Sequence, residues 1–267
     1  MKFNYKETTS DLQTRIDIHT RYGQRNIDDW MLDVLPLKKG MRILDIGCGA
    51  GKQCFLYYDH LDSECEVFGG DVSEELLMQG QLTAAEHEAN ISFQTLNFNE
   101  PFPFDENEFD LVTCCFAIYY AEDMAFTFKE INRVLKPGGT FFTTGPLPAN
   151  KKMFYDIITE ATGKVIPPMP GSSRFDSEIF DTAKDVFSTA KMLTFENPLV
   201  FEDNPQPFLD YTRASISEDR KLWNTLFDET DTFEQVMEKI TNVAKTWYER
   251  DGKLVMTKVV GGIMATK

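Results

Sequence analysis

The chain has 267 residues, of which 42% are hydrophobic and 22 are Phe, so it can bury a sizeable core and is not expected to be disordered. Its formal net charge of −16 disfavours a nucleic-acid partner, because binding to a phosphate backbone depends on clustered Lys and Arg. The five cysteines form no C-x-x-C pair, which argues against a disulfide framework or a thiolate zinc site and favours a reducing compartment.

Residues 1–10 are polar and lack the apolar segment of a secretory signal. No window of roughly eighteen residues is uninterruptedly apolar, as a membrane span would require. We therefore expect a cytoplasmic protein without a membrane partner, either a monomer or a homodimer.

The first half of the chain alternates predicted strands and helices at short spacing. Amphipathic helices are expected in residues 1–36, before a buried strand at 41–46 that runs into a glycine-rich turn. The elements predicted after this turn are helix 52–61, strand 66–71, a helix capped by Ser73, strand 91–97, strand 109–116, helix 124–135 and strand 140–144. This order predicts a doubly wound α/β fold around a mostly parallel sheet.

The second half is less regular and is rich in aromatic residues and Pro, with a helix expected over 176–187 and three helical patterns within about 205–250. We predict that residues 1–146 hold the N-terminal helices and the ligand-binding core. Residues 147–267 would hold the remaining sheet strands, at about 191–201 and 253–265. Helical insertions that cap the substrate would lie at about 147–170 and 203–250.

Three glycines alternate with other residues where the first strand turns into a helix: Gly47, Gly49 and Gly51. Glycine there allows a ligand to approach the backbone closely and allows positive φ. Nicotinamide and flavin enzymes also use such turns, but their spacing is G-x-G-x-x-G and their ligand is a pyrophosphate. Asp45 precedes the first glycine, and its carboxylate would repel pyrophosphate but suits a cationic ligand.

Polar residues also end the next two predicted strands. Asp71 could accept hydrogen bonds from both hydroxyls of a ribose, and Asn97 could meet the edge of an adenine. Ligands of open α/β sheets bind outside the carboxyl ends of the strands, where both positions belong.

Five segments occur in a recognisable order: Ile43-Leu-Asp-Ile-Gly-Cys-Gly-Ala-Gly51, Gly70-Asp-Val-Ser73, Asn97-Phe-Asn-Glu-Pro-Phe-Pro-Phe104, Phe109-Asp-Leu-Val112 and Val134-Leu-Lys-Pro-Gly-Gly139. Together they resemble the motifs of class I S-adenosylmethionine-dependent methyltransferases, particularly the ubiquinone/menaquinone-methyltransferase-like branch (methyltransferase type 11). The resemblance covers roughly residues 25–145. More weakly, the layout after residue 170 is similar to malonyl-carrier-protein carboxyl methyltransferases.

The resemblance implies a seven-stranded Rossmann-like methyltransferase fold with a helical cap. It also implies S-adenosylmethionine as cofactor, S-adenosylhomocysteine as product, and no metal. The residues that it places around the cofactor are Asp45, Gly47, Cys48, Gly49, Gly51, Asp71, Val72, Asn97, Phe98 and Phe116. Among these, Asp71 would hold the ribose, Val72 and Phe98 would pack on adenine, and Phe116 would lie near the methionine moiety. Asn97 departs from the family, which usually has Asp there.

Methyl transfer is an in-line displacement at the sulfonium methyl, so the protein mainly positions the acceptor and excludes water. An O- or N-acceptor of high pKa would need a general base, for which His19, Tyr119 and Tyr120 are candidates. A carboxylate acceptor would need no base but an Arg to hold it, for which Arg21, Arg174 and Arg213 are candidates. The candidates for contacts with the substrate are Arg21, Tyr22, Tyr120, Arg174, Tyr211 and Arg213.

Three function classes remain open on the sequence. The first is methyl transfer to the O, N or C atom of a small molecule, including a carboxylate. The second is methyl transfer to a macromolecule, a tRNA or a protein, and the third is a non-catalytic module that binds S-adenosylmethionine. The aromatic-rich cap favours a small, partly apolar acceptor, whereas the acidic net charge favours a cationic one. The sequence does not choose between them, and fold alone does not determine a substrate.

Overall fold

The computed structural model describes residues 9–166, 170–216 and 232–267. The parts of the predicted segments that fall on residues 1–8, 167–169 and 217–231 lie outside the described residues, including one helical pattern expected within 205–250.

Within the described residues, seven strands form one sheet: β1 (Arg42–Ile46), β2 (Glu66–Asp71), β3 (Ile91–Thr95), β4 (Phe109–Cys115), β5 (Leu135–Pro146), β6 (Thr189–Phe201) and β7 (Leu254–Thr266). Their order is β3-β2-β1-β4-β5-β7-β6. Strands β1 to β5 pair in parallel, whereas β7 is antiparallel to β5. The predicted doubly wound, mostly parallel, seven-stranded fold is confirmed.

Helices connect and cover these strands. In chain order they are α1 (Thr9–Tyr22), α2 (Ile27–Val34), α3 (Lys52–His60), α4 (Glu74–Glu86), α5 (Met124–Val134), α6 (Lys152–Thr162), α7 (Pro170–Arg174), α8 (Phe180–Val186), α9 (Gln206–Ile216) and α10 (Phe233–Asp251). As predicted, Ser73 caps α4, and its hydroxyl accepts a hydrogen bond from the Leu76 N–H. None of the helices in the described ranges is long and apolar enough to cross a membrane.

Two compact units divide the chain. The core unit comprises Ile27–Pro148, Met169–Phe195 and Val260–Lys267. The helical unit comprises Met1–Asn26, Ala149–Pro168 and Glu196–Val259, as far as these are described. The cap insertions at 147–170 and 203–250 and the boundary at residue 146 stay predictions.

The core unit buries both faces of its sheet because successive side chains of a strand point to opposite faces. Ile43 and Leu111 pack in a cluster that includes Trp30 of α2 and Tyr57 of α3. Their neighbours in sequence, Leu44 and Val112, pack instead in a cluster formed with α5 and α8. The helical unit has a hydrophobic core of its own, with residues from α1, α6, α9 and α10.

Several predicted bounds shift by a residue or two, and three elements also differ in form. Strand β3 ends at Thr95 rather than Asn97, because the Asn97 side chain accepts a hydrogen bond from the Asn99 N–H and forms a turn. Strand β5 begins at Leu135, which pairs with Phe109, and an irregularity in register precedes the pairing at Thr140. The helix expected over 176–187 contains a wider π-helical turn, Phe175–Ile179, before α8.

Candidate active site

The glycine turn after β1 lies at the carboxyl edge of the parallel strands. Gly47, Gly49 and Gly51 have φ of 68°, 56° and 87°, a region that residues with a Cβ adopt at a cost. A Cβ on Gly47 would lie 2.6 Å from that of Ala117, so this glycine is needed for close packing as well. At Gly49 a Cβ would meet nothing closer than a Leu76 methyl at 3.8 Å, which leaves its backbone open to a ligand.

Asp71, the last residue of β2, holds this turn in place. One carboxylate oxygen accepts the Gly49 N–H at 2.9 Å and the other accepts the Ser73 N–H at 2.9 Å. The β2 backbone contributes too, since the Gly70 carbonyl accepts the N–H groups of Gly47 and Cys48. Each carboxylate oxygen keeps a further lone pair, so the pair of hydroxyls of a ribose can bind here without displacing the loop.

Asp45 lies beneath the turn, with 1% of its surface exposed. Its carboxylate accepts a 2.6 Å hydrogen bond from the Thr113 hydroxyl on the neighbouring strand β4 and lies 3.8 Å from the Cys54 sulfur. Burial raises the pKa of Asp45 to about 7. Asp45 therefore orders the ends of β1 and β4, and direct contact with a cofactor stays a prediction. Cys48 is likewise buried within the turn.

The residues predicted to surround the adenine and methionine follow the ends of β2, β3 and β4. Val72 is 64% exposed, so its side chain is accessible to a ligand. Phe116 is 39% exposed and has a φ of 57°, which is strained for a residue with a Cβ. Phe98 is half-buried, and the Asn97 amide donates to Glu100. Contacts of these residues with a cofactor stay predictions.

Tyr119 and Tyr120 lie in a short 3-10 turn just after β4, with their ring centroids 4.8 Å apart. Tyr120 is exposed, and partial burial of its hydroxyl raises its pKa, which keeps it protonated at neutral pH. Arg174 donates to the Tyr119 carbonyl and forms a two-pronged ion pair with Glu178. A substrate carboxylate would have to displace that glutamate.

The remaining predicted substrate residues belong to the helical unit. Arg213 forms a two-pronged ion pair with Glu234, at 2.7 and 2.9 Å. The Arg21 guanidinium lies 5.4 Å from the centre of the Tyr22 ring, which packs on Phe201. Neither arrangement depends on a ligand.

His19 and Tyr211 lie together in the helical unit, with ring centroids 5.8 Å apart. Burial and the charges of nearby Lys258 and Lys151 lower the pKa of His19 to about 3, so its imidazole is neutral and a weak base. Two residues of this cluster, Lys151 and Lys258, were not predicted from the sequence. Lys258 is the one charged residue within β7, which is a signal that could have identified it.

No group of His, Cys, Asp and Glu in the part of the chain that the structure describes is arranged to hold a metal ion. The doubly wound sheet, its open glycine turn and the carboxylate at the end of β2 together define a Rossmann-like site for a nucleoside ligand.

Comparisons with known proteins identify the family. A family model described as a methyltransferase domain matches residues 37–257. The demethylmenaquinone methyltransferase of Staphylococcus aureus (strain MRSA252) is 32% identical over 168 residues, which cover 61% of this chain and 64% of that protein. That of Staphylococcus saprophyticus is 30% identical over 169 residues, which cover 61% and 66%. The chain thus spans less than two thirds of the length of these relatives.

Among solved structures, the YcgJ protein of Bacillus subtilis matches with a TM-score of 0.57 and 17% identity, covering 90% of this chain and 97% of that one. This similarity concerns the fold alone. The chain belongs to the class I S-adenosylmethionine-dependent methyltransferase family.

Proposed function

We propose that this protein uses S-adenosylmethionine to methylate a small-molecule acceptor. The observation that carries the proposal is the open Gly49 backbone, held by an Asp71 carboxylate whose remaining lone pairs suit a ribose. When bound, S-adenosylmethionine supplies an electrophilic methyl group on a sulfonium.

The residues of this chain have separate tasks in that proposal. Gly47, Gly49 and Gly51 let the cofactor approach the backbone, while Asp71 orients it through its ribose. Val72 and Phe98 cover the adenine, which gives the exposed Val72 side chain a partner. Asp45 has a pKa of about 7, and its ionised fraction beneath the turn favours the cationic methionine moiety over a pyrophosphate.

The acceptor is proposed from the relatives. Their names give demethylmenaquinone as their substrate, so a demethylmenaquinone is the first acceptor to assay. We propose that the helical unit contributes to binding the acceptor, with Tyr22 and Tyr211 among its contacts. His19 is better suited to contacting the acceptor than to acting as a general base, because an imidazole with a pKa of about 3 binds a proton weakly.

We also place the protein in the cytoplasm, as a monomer or a homodimer. The five cysteines are free thiols, a state that suits a reducing compartment.

The first prediction tests Asp71. Asp71→Ala should weaken binding of S-adenosylhomocysteine by about 1.5–3 kcal/mol, the typical contribution of hydrogen bonds to a charged group. Isothermal titration calorimetry measures this directly, with NAD as the competing ligand class. The matched control is Asp62→Ala, which removes an exposed carboxylate paired with Lys39 in the same unit and should leave affinity unchanged.

Wild-type protein that binds NAD tightly and S-adenosylmethionine not at all would overturn the proposal. Turnover to S-adenosylhomocysteine with a library of small metabolites then separates an enzyme from a non-catalytic module. Turnover with tRNA or protein alone would make the acceptor a macromolecule.

A further inference from the structure

Two lysines converge on Tyr211 inside the helical unit. The Lys258 ammonium donates a 3.3 Å hydrogen bond to the Tyr211 hydroxyl. The Lys151 ammonium lies 5.7 Å from the centre of the same ring, and His19 stacks near it from α1. Four separate segments of the chain therefore bring polar side chains to one place.

The convergence is built by the backbone. The Lys151 N–H donates to the Thr257 carbonyl at 2.9 Å, and the Val259 N–H donates to the Asn150 side chain at 3.1 Å. These two bonds lie on either side of Lys258 in sequence. They hold β7 against the residues that precede α6, and so hold both ammonium groups beside Tyr211.

The cluster carries more positive than negative charge. Among the described residues, neither Lys151 nor Lys258 forms an ion pair with a carboxylate. By contrast, the ammonium groups of Lys39, Lys52, Lys136 and Lys152 each lie within 3 Å of a carboxylate oxygen. The charges that act on both His19 and Tyr211 are those of Lys151, Lys258 and Arg15, which are all cationic.

The pKa of Tyr211 reflects this excess of positive charge. Burial raises the pKa of its hydroxyl, but Lys151 and Lys258 outweigh burial and lower the pKa to about 7. One partly ionised phenol cannot balance two ammonium groups. One turn further along α9, the buried Ser215 hydroxyl has no hydrogen-bond partner among the described residues.

We propose that Lys151, Lys258 and Tyr211 form an oxyanion-binding site, with His19 at its side, for a carboxylate or phosphate group of a small acidic molecule. Resting on the methyl transfer proposed above, that molecule is the methyl acceptor, and it differs from the quinone in the names of the relatives, which carries neither a carboxylate nor a phosphate. Two ammonium groups and a hydroxyl supply several donors and the charge that an oxyanion needs. Arg174 and Arg213, which the sequence predicted to contact the substrate, are each already paired with a glutamate, whereas these two lysines pair with no carboxylate of the described ranges.

The test uses the full chain with inorganic phosphate and acetate as probes and chloride at matched ionic strength as reference. The chain has three histidines, so the imidazole NMR signal of His19 can be assigned with His19→Gln. A bound anion offsets the lysine charges that lower both pKa values. We therefore expect a saturable shift of the His19 signal, no comparable shift at the exposed His60 and His87, and a higher pKa of Tyr211 from its tyrosinate absorbance.

Lys151→Met and Lys258→Met should each weaken binding of the probe at least about tenfold, as expected for loss of a charged hydrogen-bond donor. The matched control is Lys152→Met, since Lys152 is the next residue, is exposed and pairs with Asp156. Lys258→Arg keeps the charge and should keep binding, which covers the case that Lys258→Met does not fold.

The site is refuted if neither probe shifts the His19 signal saturably, or if Lys152→Met weakens binding as much as Lys258→Met does. A response to acetate alone identifies a carboxylate ligand, and a response to phosphate alone identifies a phosphate ligand. Calorimetry with S-adenosylhomocysteine separates the two proposals. Phosphate binding without cofactor binding would refute the methyltransferase function and leave the site standing.

Discussion

Asp45 shows how a buried carboxylate can order the strands beneath a site. The motif around the glycines predicts an acidic residue at this position, but not where its side chain points. In the structure it faces Thr113 on β4 and the Cys54 thiol on α3. A buried carboxylate with two hydrogen-bond partners resists ionisation, because desolvation costs more than these bonds return.

The second prediction is a pH dependence caused by Asp45. Its folded-state pKa, about 7, lies above its ordinary value of 3.8, so the folded protein binds the proton more tightly than the unfolded chain. Stability from this group is therefore fully present below pH 3.8 and is lost as pH rises toward 7, by up to about 1.4 kcal/mol per pH unit. The stability of Asp45→Asn should not fall in this way as pH rises.

Denaturant unfolding of wild type and Asp45→Asn between about pH 5 and pH 8 measures the difference. The free energy of unfolding of Asp45→Asn should rise relative to that of wild type as pH rises. Asp62→Asn is the control, since Lys39 lowers the pKa of exposed Asp62 and its difference from wild type should stay constant over this range. A constant difference for Asp45→Asn as well would show that Asp45 does not titrate there.

At the scale of elements, strands β5 and β7 make room for one aromatic ring. Gly145 and Gly261 pair across the two strands, and Phe175 of the π-helical turn packs on both. A Cβ on Gly145 would lie 2.3 Å from the Phe175 ring, and a Cβ on Gly261 would lie 2.8 Å from it. Neither glycine has a positive φ, so the backbone conformation does not require glycine at these positions. The space that the Phe175 ring occupies does.

The third prediction is that Gly145→Ala and Phe175→Ala partly compensate each other. Gly145→Ala should cost about 1–3 kcal/mol by overpacking, and Phe175→Ala about 3–5 kcal/mol by leaving a cavity. Because the added methyl enters that cavity, the double variant should cost less than the sum, with a coupling of about 0.5–3 kcal/mol. Thermal or denaturant unfolding of wild type, the two single variants and the double variant completes this double-mutant cycle.

Gly145→Ala combined with Phe93→Ala is the additive control, because β3 lies four strands away from β5 in the sheet order. Additivity for the Phe175 pair too would contradict the packing described above.

The parts of the fold that follow from local pattern could be predicted from the sequence. The alternation of apolar strands and capped helices, such as the Ser73 cap, identifies β1 to β4 within a residue or two. The π-helical turn at Phe175 could not be predicted, because the two glycines that its ring contacts are distant in sequence. The convergence of Lys151 and Lys258 was missed for the same reason, since only the fold brings these segments together.

At the scale of the whole molecule, charge is distributed unevenly. The chain has a net charge of −16, yet the cluster around Tyr211 is cationic. Overall negative charge repels anionic macromolecules at a distance, whereas a half-buried cationic cluster attracts a small acid that can enter it. This combination favours a small acidic acceptor over a nucleic acid.

The last prediction concerns how both units respond to the cofactor. A reactive sulfonium must be shielded from water during transfer and the product must still leave, so we propose that cofactor binding lowers exchange in the helical unit as well as in the core unit. Hydrogen exchange with and without S-adenosylhomocysteine is the measurement. Protection should rise near Gly47 and Asp71, and also in residues 9–25 and in described parts of 147–250. With Asp71→Ala, both increases should need a higher ligand concentration. If protection rises only near Gly47 and Asp71, the helical unit binds its partner independently, and a macromolecular acceptor docking there becomes the better interpretation.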